Sequence, residues 1–186
     1  YVADEVETHG GKALPFVLDV QDEHRIQECV DATIKEFNGV DFLINNASAM
    51  WWKPIEETPM KRYDMMNNIN ARGTFALSQA CLPHMRNASF GHILTQSPPI
   101  QLEKLSGMVG YYISKYGMTL SALGIAQEYK SCNVASNAIW PKTLIKTSAT
   151  VNNKLGDEKY WRKPSILTDA ILGILQQTPS ECTGNQ

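Results

Sequence analysis

Asp22-Glu-His-Arg-Ile26-Gln-Glu-Cys-Val30-Asp-Ala-Thr-Ile34-Lys-Glu-Phe37, then Asn38-Gly39-Val40, then Asp41-Phe42-Leu43-Ile44-Asn45, is the stretch on which the fold turns. Ile26, Val30, Ile34 and Phe37 recur at i, i+4, i+8 and i+11, the spacing of one face of an α-helix. The charged residues fall mostly on the other side. Asn38-Gly39 ends the helix, since both residue types tolerate the left-handed backbone that a helix stop needs. Asp41–Asn45 reads as a short apolar strand, and Asn45-Asn46-Ala47-Ser48 follows it directly.

The same alternation extends both ways. Toward the N-terminus, Val2–Glu7 is helical, Gly10-Gly11 stops it, and Lys12–Val20 reads as a strand running into Asp19, with Pro15 marking it as an edge strand. Toward the C-terminus, a loop with Trp51, Trp52 and Pro54 leads to a long helix from about Thr58 to Met85. A strand at Gly91–Thr95 follows, then a loop from Gln96 to Gly107, a helix over residues 110–130, and a strand at Asn133–Trp140 ending on Pro141. Residues 142–163 are polar and irregular and read as a mobile lid or loop; Ser165–Gln177 is a last helix. Strands separated by helices of this length imply parallel β-α-β units, hence an α/β fold with a doubly wound parallel sheet and helices on both faces, three layers in all. Ligands in such sheets collect at the carboxyl ends of the strands. Asp19, Asn45, Ser97 and Pro141 all lie at such ends.

The 186 residues are 43% hydrophobic and 19% charged, with a formal net charge of -2, the profile of an ordinary globular chain. The balance offers no basic surface for nucleic acid. No apolar run approaches the roughly 18 residues of a membrane span. Cys29, Cys81, Cys132 and Cys182 are scattered, without ligand spacing, so no metal site or disulfide framework is expected and a reducing intracellular compartment fits.

Within Gly110-Tyr111-Tyr112-Ile113-Ser114-Lys115-Tyr116-Gly117, Tyr111 and Lys115 stand four apart, on one face of a helix. A free tyrosine has a pKa of about 10. Lowering it by about three units takes roughly 4 kcal/mol. One ammonium about 4 Å away, at an effective dielectric of about 20, supplies that amount. The pair is therefore able to form a general acid/base working near neutral pH. By spacing alone it is equally a surface helix pair.

Taken in order, Asp19-Val20, Asn45-Asn46-Ala47-Ser48, Asn70-Ala71-Arg72-Gly73, Ser97, Tyr111-x-x-x-Lys115 and Asn137-Ala138-Ile139-Trp140-Pro141 resemble the short-chain dehydrogenase/reductase family over almost the whole chain. The resemblance implies an NADP-dependent oxidoreductase (NAD less readily) acting on a small-molecule carbonyl or alcohol. Tyr111 would exchange the proton at the substrate oxygen. Lys115 would lower its pKa and bind the nicotinamide ribose, and Asn70 would hold a water in the proton relay. Asp19 would accept the adenine amino group beside the backbone of Val20, and the backbone at Asn45 and Ala47 would line the adenosine. After Pro141, the backbone near Ile145 and the Thr147 hydroxyl would meet the carboxamide. A loop Asp capping the next helix is the other reading of Asp19. The branch resembled most is peroxisomal or mitochondrial, with a C-terminal sterol-carrier domain in its longer members; the cytoplasm is the other expectation.

The departures matter as much. Pro98 stands where most members carry a second serine that polarises the substrate carbonyl, and loss of such a donor costs about 10²–10³ in rate. Ser97 or Ser106 would have to substitute. Ser48 and Lys142 replace glycines. The phosphate-binding turn Thr-Gly-x-x-x-Gly-x-Gly is not in the sequence. Residues 1–186 are thus expected to be one partial dinucleotide-binding domain lacking the first two strands, a fragment that by itself neither folds stably nor binds cofactor. Trp51, Trp52, Trp140 and Met50 suggest a roomy apolar, lipid-accommodating pocket. Apolar residues on two faces of the 110–130 helix suggest a homo-oligomer through the 58–85 and 110–130 helices. A non-catalytic cofactor- or lipid-binding module of the same fold is the competing reading.

Overall fold

Asp22 starts the decisive helix. In the computed structural model, which describes residues 2–186, its carboxylate accepts the main-chain N–H groups of His24 and Arg25, two of the donors a helix start leaves unpaired. Helix α2 then spans Glu23–Phe37 and ends at Asn38, whose φ of 65° is left-handed and whose N–H returns to the Ile34 carbonyl. An asparagine carries this conformation at little cost. Helix α1, Val2–Thr8, precedes it. Strand β1, Phe42–Asn45, follows.

Three parallel strands lie in the order β1-β2-β3, with β2 at Gly91–Gln96 and β3 at Val134–Ile139. Asn45 stands opposite Thr95, and Thr95 opposite Ala138, so the carboxyl ends share one edge. Between β1 and β2 the chain is helical over α3, Met60–Met66, and α4, Gly73–Ala88. Helix α5, Val109–Glu128, joins β2 to β3. Val30 of α2, Cys81, Leu82 and Met85 of α4, Ile125 of α5, and Ile93 and Val134 of the sheet form one apolar core. Three helices therefore cover the same face. Strands β2 and β3 are buried almost throughout, as the central strands of a parallel sheet must be.

Several expectations are corrected. Lys12–Val20 forms no strand, because no described strand lies beside it to complete a ladder. Its end is held by side chains instead: Arg25 donates to the Val17 carbonyl and stacks on Phe16, and Arg72 donates to the Gln21 carbonyl. Val20 seats against Gly73, where a Cβ would approach its Cγ2 to 2.9 Å. Helices do not cover both faces of β1 equally: Phe42 and Ile44 remain 47% and 42% exposed. The long helix is interrupted by a π-helical segment at Asn67–Arg72. Residues 142–163 are less irregular than their composition suggests. They contain α6, Ser148–Asn152, and a 3₁₀ turn at Glu158–Tyr160. A bridge between Ile145 and Arg162 and the Lys146–Glu158 ion pair at 2.9 Å pin them together. Helix α7, Ser165–Leu175, comes next. The chain then returns to β3, Gly184 donating to the Ser136 carbonyl and Ala138 to the Asn185 carbonyl, at 2.9 and 2.8 Å.

Candidate active site

Helix α5 turns Tyr111, Ser114, Lys115 and Met118 inward along one stripe, all buried. Gly117 lets that stripe come close to the π segment: a Cβ there would stand 2.7 Å from the Cβ of Ala71. The Lys115 ammonium donates to the Gln96 carbonyl at 2.9 Å, where β2 ends, and lies 5.4 Å from the centre of the Trp140 ring, just past β3. Burial disfavours its charged form and pulls its pKa down to about 8, despite the carbonyl and the ring face that favour the charge.

Tyr111 differs from expectation. Its phenol pKa is pushed well above the ordinary value, first by burial and second by Tyr112. Lys115 is not among the groups that move it; the ammonium is engaged by the Gln96 carbonyl instead. The Trp52 indole alone acts the other way, and weakly. The two rings meet edge to face, centroids 5.8 Å apart and planes at 69°.

Asn70 sits in the π segment, fully buried, with its amide spent on a clamp. Its Oδ1 accepts the Ala49 N–H at 2.7 Å; its Nδ2 donates to the Ala49 carbonyl and to Ser114 Oγ, both at 2.9 Å. The side chain thus fixes the loop after β1 to α5, using both amide hydrogens and one lone pair of Oδ1. π-Helical insertions of this kind recur at functional sites. Ser97 is fully buried and its hydroxyl has no partner. Ser106, the alternative donor, is exposed in a turn. The sequence assigns Ser114 no role, although it lies three residues from Tyr111 on the same helical face, and it assigns Trp52 only a place in an apolar pocket.

Asn45 is buried with Nδ2 donating to Ser78 Oγ at 3.2 Å, while Asn46, Ala47 and Ser48 beyond it are exposed. Asp19 is exposed and closes a turn on the Gln21 N–H at 2.9 Å; the helix cap is Asp22, three residues on. Thr147 caps α6 through Thr150, whose hydroxyl in turn donates to the Ile145 carbonyl at 2.6 Å. Lys142 is solvent-exposed. The apolar hollow beside α5, about 230 Å³, is lined by Ile55, Met60, Tyr63, Val109 and Ile113, and not by the tryptophans or residues 142–163. No cluster of metal-ligating side chains occurs among the described residues, and no described helix is long and apolar enough to cross a membrane.

The sequence profile described as short chain dehydrogenase matches residues 1–157. The chain belongs to the short-chain dehydrogenase family. Among curated relatives, the "Hydroxysteroid dehydrogenase-like protein 2" of Xenopus tropicalis is 44% identical over 186 aligned residues, 98% of this chain and 44% of that protein. The chain therefore spans less than half the length of the curated relatives it matches. The crystal structure of a short chain dehydrogenase from Mycobacterium thermoresistibile superposes with a TM-score of 0.90 at 46% identity, over 99% of this chain and 66% of that one. Two more distant structures share the fold alone. One is a metagenomic short-chain oxidoreductase in complex with NADP (TM-score 0.83, 20% identity, 100% and 77% covered); the other is an NAD⁺-bound xylitol dehydrogenase (0.85, 21%, 98% and 80%).

A nicotinamide dinucleotide fits the short-chain dehydrogenase residues present in part. Lys115 reaches the carboxyl ends of β2 and β3, the Ser97 hydroxyl just past β2 has no partner, Tyr111 lies one turn before Lys115 on α5, and an exposed small-residue backbone follows β1. The sequence contains no phosphate-cradling glycine turn.

Proposed function

We propose that the protein is an NADP(H)-dependent oxidoreductase, moving a hydride between nicotinamide and the carbonyl or alcohol carbon of an apolar, lipid-like substrate. The observation that carries this is the α5 stripe: a buried tyrosine and a buried lysine one turn apart, the lysine held at the end of β2, where the next residue, Ser97, has a buried hydroxyl without a partner. The bound nicotinamide supplies or takes the hydride. Tyr111 gives or takes the proton at the substrate oxygen, and Ser97 donates a hydrogen bond to that oxygen. Lys115 binds the cofactor ribose and, to act on the phenol, must turn from the Gln96 carbonyl. Asn70 positions the loop after β1 and would hold a water in the proton relay from Lys115. Asp19, Val20, Asn45 and Ala47 would hold the adenosine half, and Pro141, Ile145 and Thr147 the carboxamide side. Residues 1–186 form one partial domain in this reading, and the whole protein acts in the peroxisome or mitochondrion.

Partners follow from the surface. Ile55, Met60, Phe75, Ile113 and Leu120 are exposed at 69%, 65%, 58%, 47% and 59% on or beside α3, α4 and α5, which supports pairing with a second copy through those helices. The competing reading, a binding module without catalysis, draws on Pro98 and on the raised pKa of Tyr111. Incubating the whole protein with NADPH or NADH and a panel of apolar aldehydes and ketones separates them. Cofactor oxidation matched by alcohol formation, faster with NADPH, supports the enzyme. Tight NADPH binding with no oxidation across the panel supports the module.

A further inference from the structure

The loop after β1 brings an aromatic donor to the reacting phenol. We propose that the indole N–H of Trp52 is the hydrogen-bond donor that stands in for the hydroxyl missing at Pro98, serving the Tyr111 oxygen and the substrate oxygen beside it. This rests on the oxidoreductase reading.

Four observations carry it. Trp52 Nε1 is buried and has no acceptor, and buried donors without partners are rare in native proteins. Its ring lies edge-on to Tyr111 at 5.8 Å, so the orphaned donor belongs to the side chain packed on the reacting phenol, where it favours the charged oxygen, though without the geometry of a full hydrogen bond. Pro98 cannot donate, and its carbonyl accepts from Thr119 Oγ1 of α5 at 2.7 Å, which ties this stretch of backbone to the helix. Finally, the loop that bears Trp52 is fixed. Asn70 grips Ala49 through both its N–H and its carbonyl, Arg62 stacks on Trp51 at 4.8 Å, and Trp51 Nε1 reaches the Glu57 carbonyl at 3.4 Å. A donor held in place before the charge develops is the arrangement that stabilises an oxyanion best.

The test uses the whole protein with Trp52→Phe, which keeps a ring against Tyr111 and removes only the N–H, and Trp52→His, which restores a ring N–H. Two readouts apply. The first is kcat with saturating NADPH. It should fall about 10²-fold in Trp52→Phe, with NADPH affinity unchanged, and recover in part in Trp52→His. The second is the phenol's titration as read in the pH profile of kcat/KM, whose phenol limb should move to higher pH in Trp52→Phe. If kcat stays within twofold and the titration does not move, Trp52 only packs and the inference is overturned. If Trp52→Phe does not fold, Trp52→Leu, which likewise lacks the N–H, takes its place under the same two criteria. Should Tyr111→Phe also retain full turnover, the oxidoreductase reading itself fails, an outcome distinct from failure of the Trp52 role alone.

Discussion

Lys115 shows what burial does to a charge at a strand end. With its folded pKa at about 8 and its unfolded value near 10.5, the unfolded chain binds more protons between those limits. The depressed folded pKa means that stability is withheld below pH 8 and regained as pH rises toward 10.5. Without cofactor, the protein should gain up to about 3 kcal/mol over this window relative to Lys115→Met, read as the difference in urea unfolding free energy between pH 8 and pH 10. Equal slopes for both proteins would show that Lys115 is more hydrated than the structure has it. Above pH 10 Tyr111, whose folded pKa is raised, acts in the opposite sense and stability is lost again. Spacing placed these two side chains on one face correctly. It could not tell which force governs the phenol, because desolvation depends on what packs around it: Trp52 and Tyr112, brought in by tertiary structure.

Between elements, the site depends on how closely α5 approaches the π segment. Gly117 permits this, since its missing Cβ would collide with Ala71. Gly117→Ala should destabilise by about 1–3 kcal/mol, the ordinary cost of overpacking, despite alanine's better helix propensity. Chemical denaturation measures it; a stabilised variant would mean that α5 has room to slide. The amphipathic period of α2, the Asn38 stop and the apolar runs of β1, β2 and β3 were all legible, because each is written in local spacing. Lys12–Val20 misled for the same reason. Its composition is that of a strand, but a strand exists only with a neighbour, and none pairs with it among the described residues. The π insertion at Asn67–Arg72 has no composition signal either, since no Gly or Pro marks where the wider turn begins.

Across the whole molecule, the open side of β1 dominates. Phe42 and Ile44 are half exposed, Val17 is 87% exposed, and β1 pairs with β2 on one edge alone among the described residues. An unpaired apolar strand edge invites association. The 186-residue polypeptide expressed by itself should therefore bind a hydrophobic dye, aggregate with rising concentration and show no saturable NADPH binding. Light scattering and fluorescence titration check this. A monomeric polypeptide with a sharp thermal transition and tight NADPH binding would contradict it. Because the chain covers less than half of its curated relatives' length, 44% for the Xenopus tropicalis protein, catalysis is tested in the whole protein. The decisive measurement there is turnover by Tyr111→Phe, with NADPH binding followed in the same preparation. Reduction of an apolar carbonyl should be abolished while cofactor affinity is kept; turnover surviving the loss of the phenol would contradict catalysis by Tyr111.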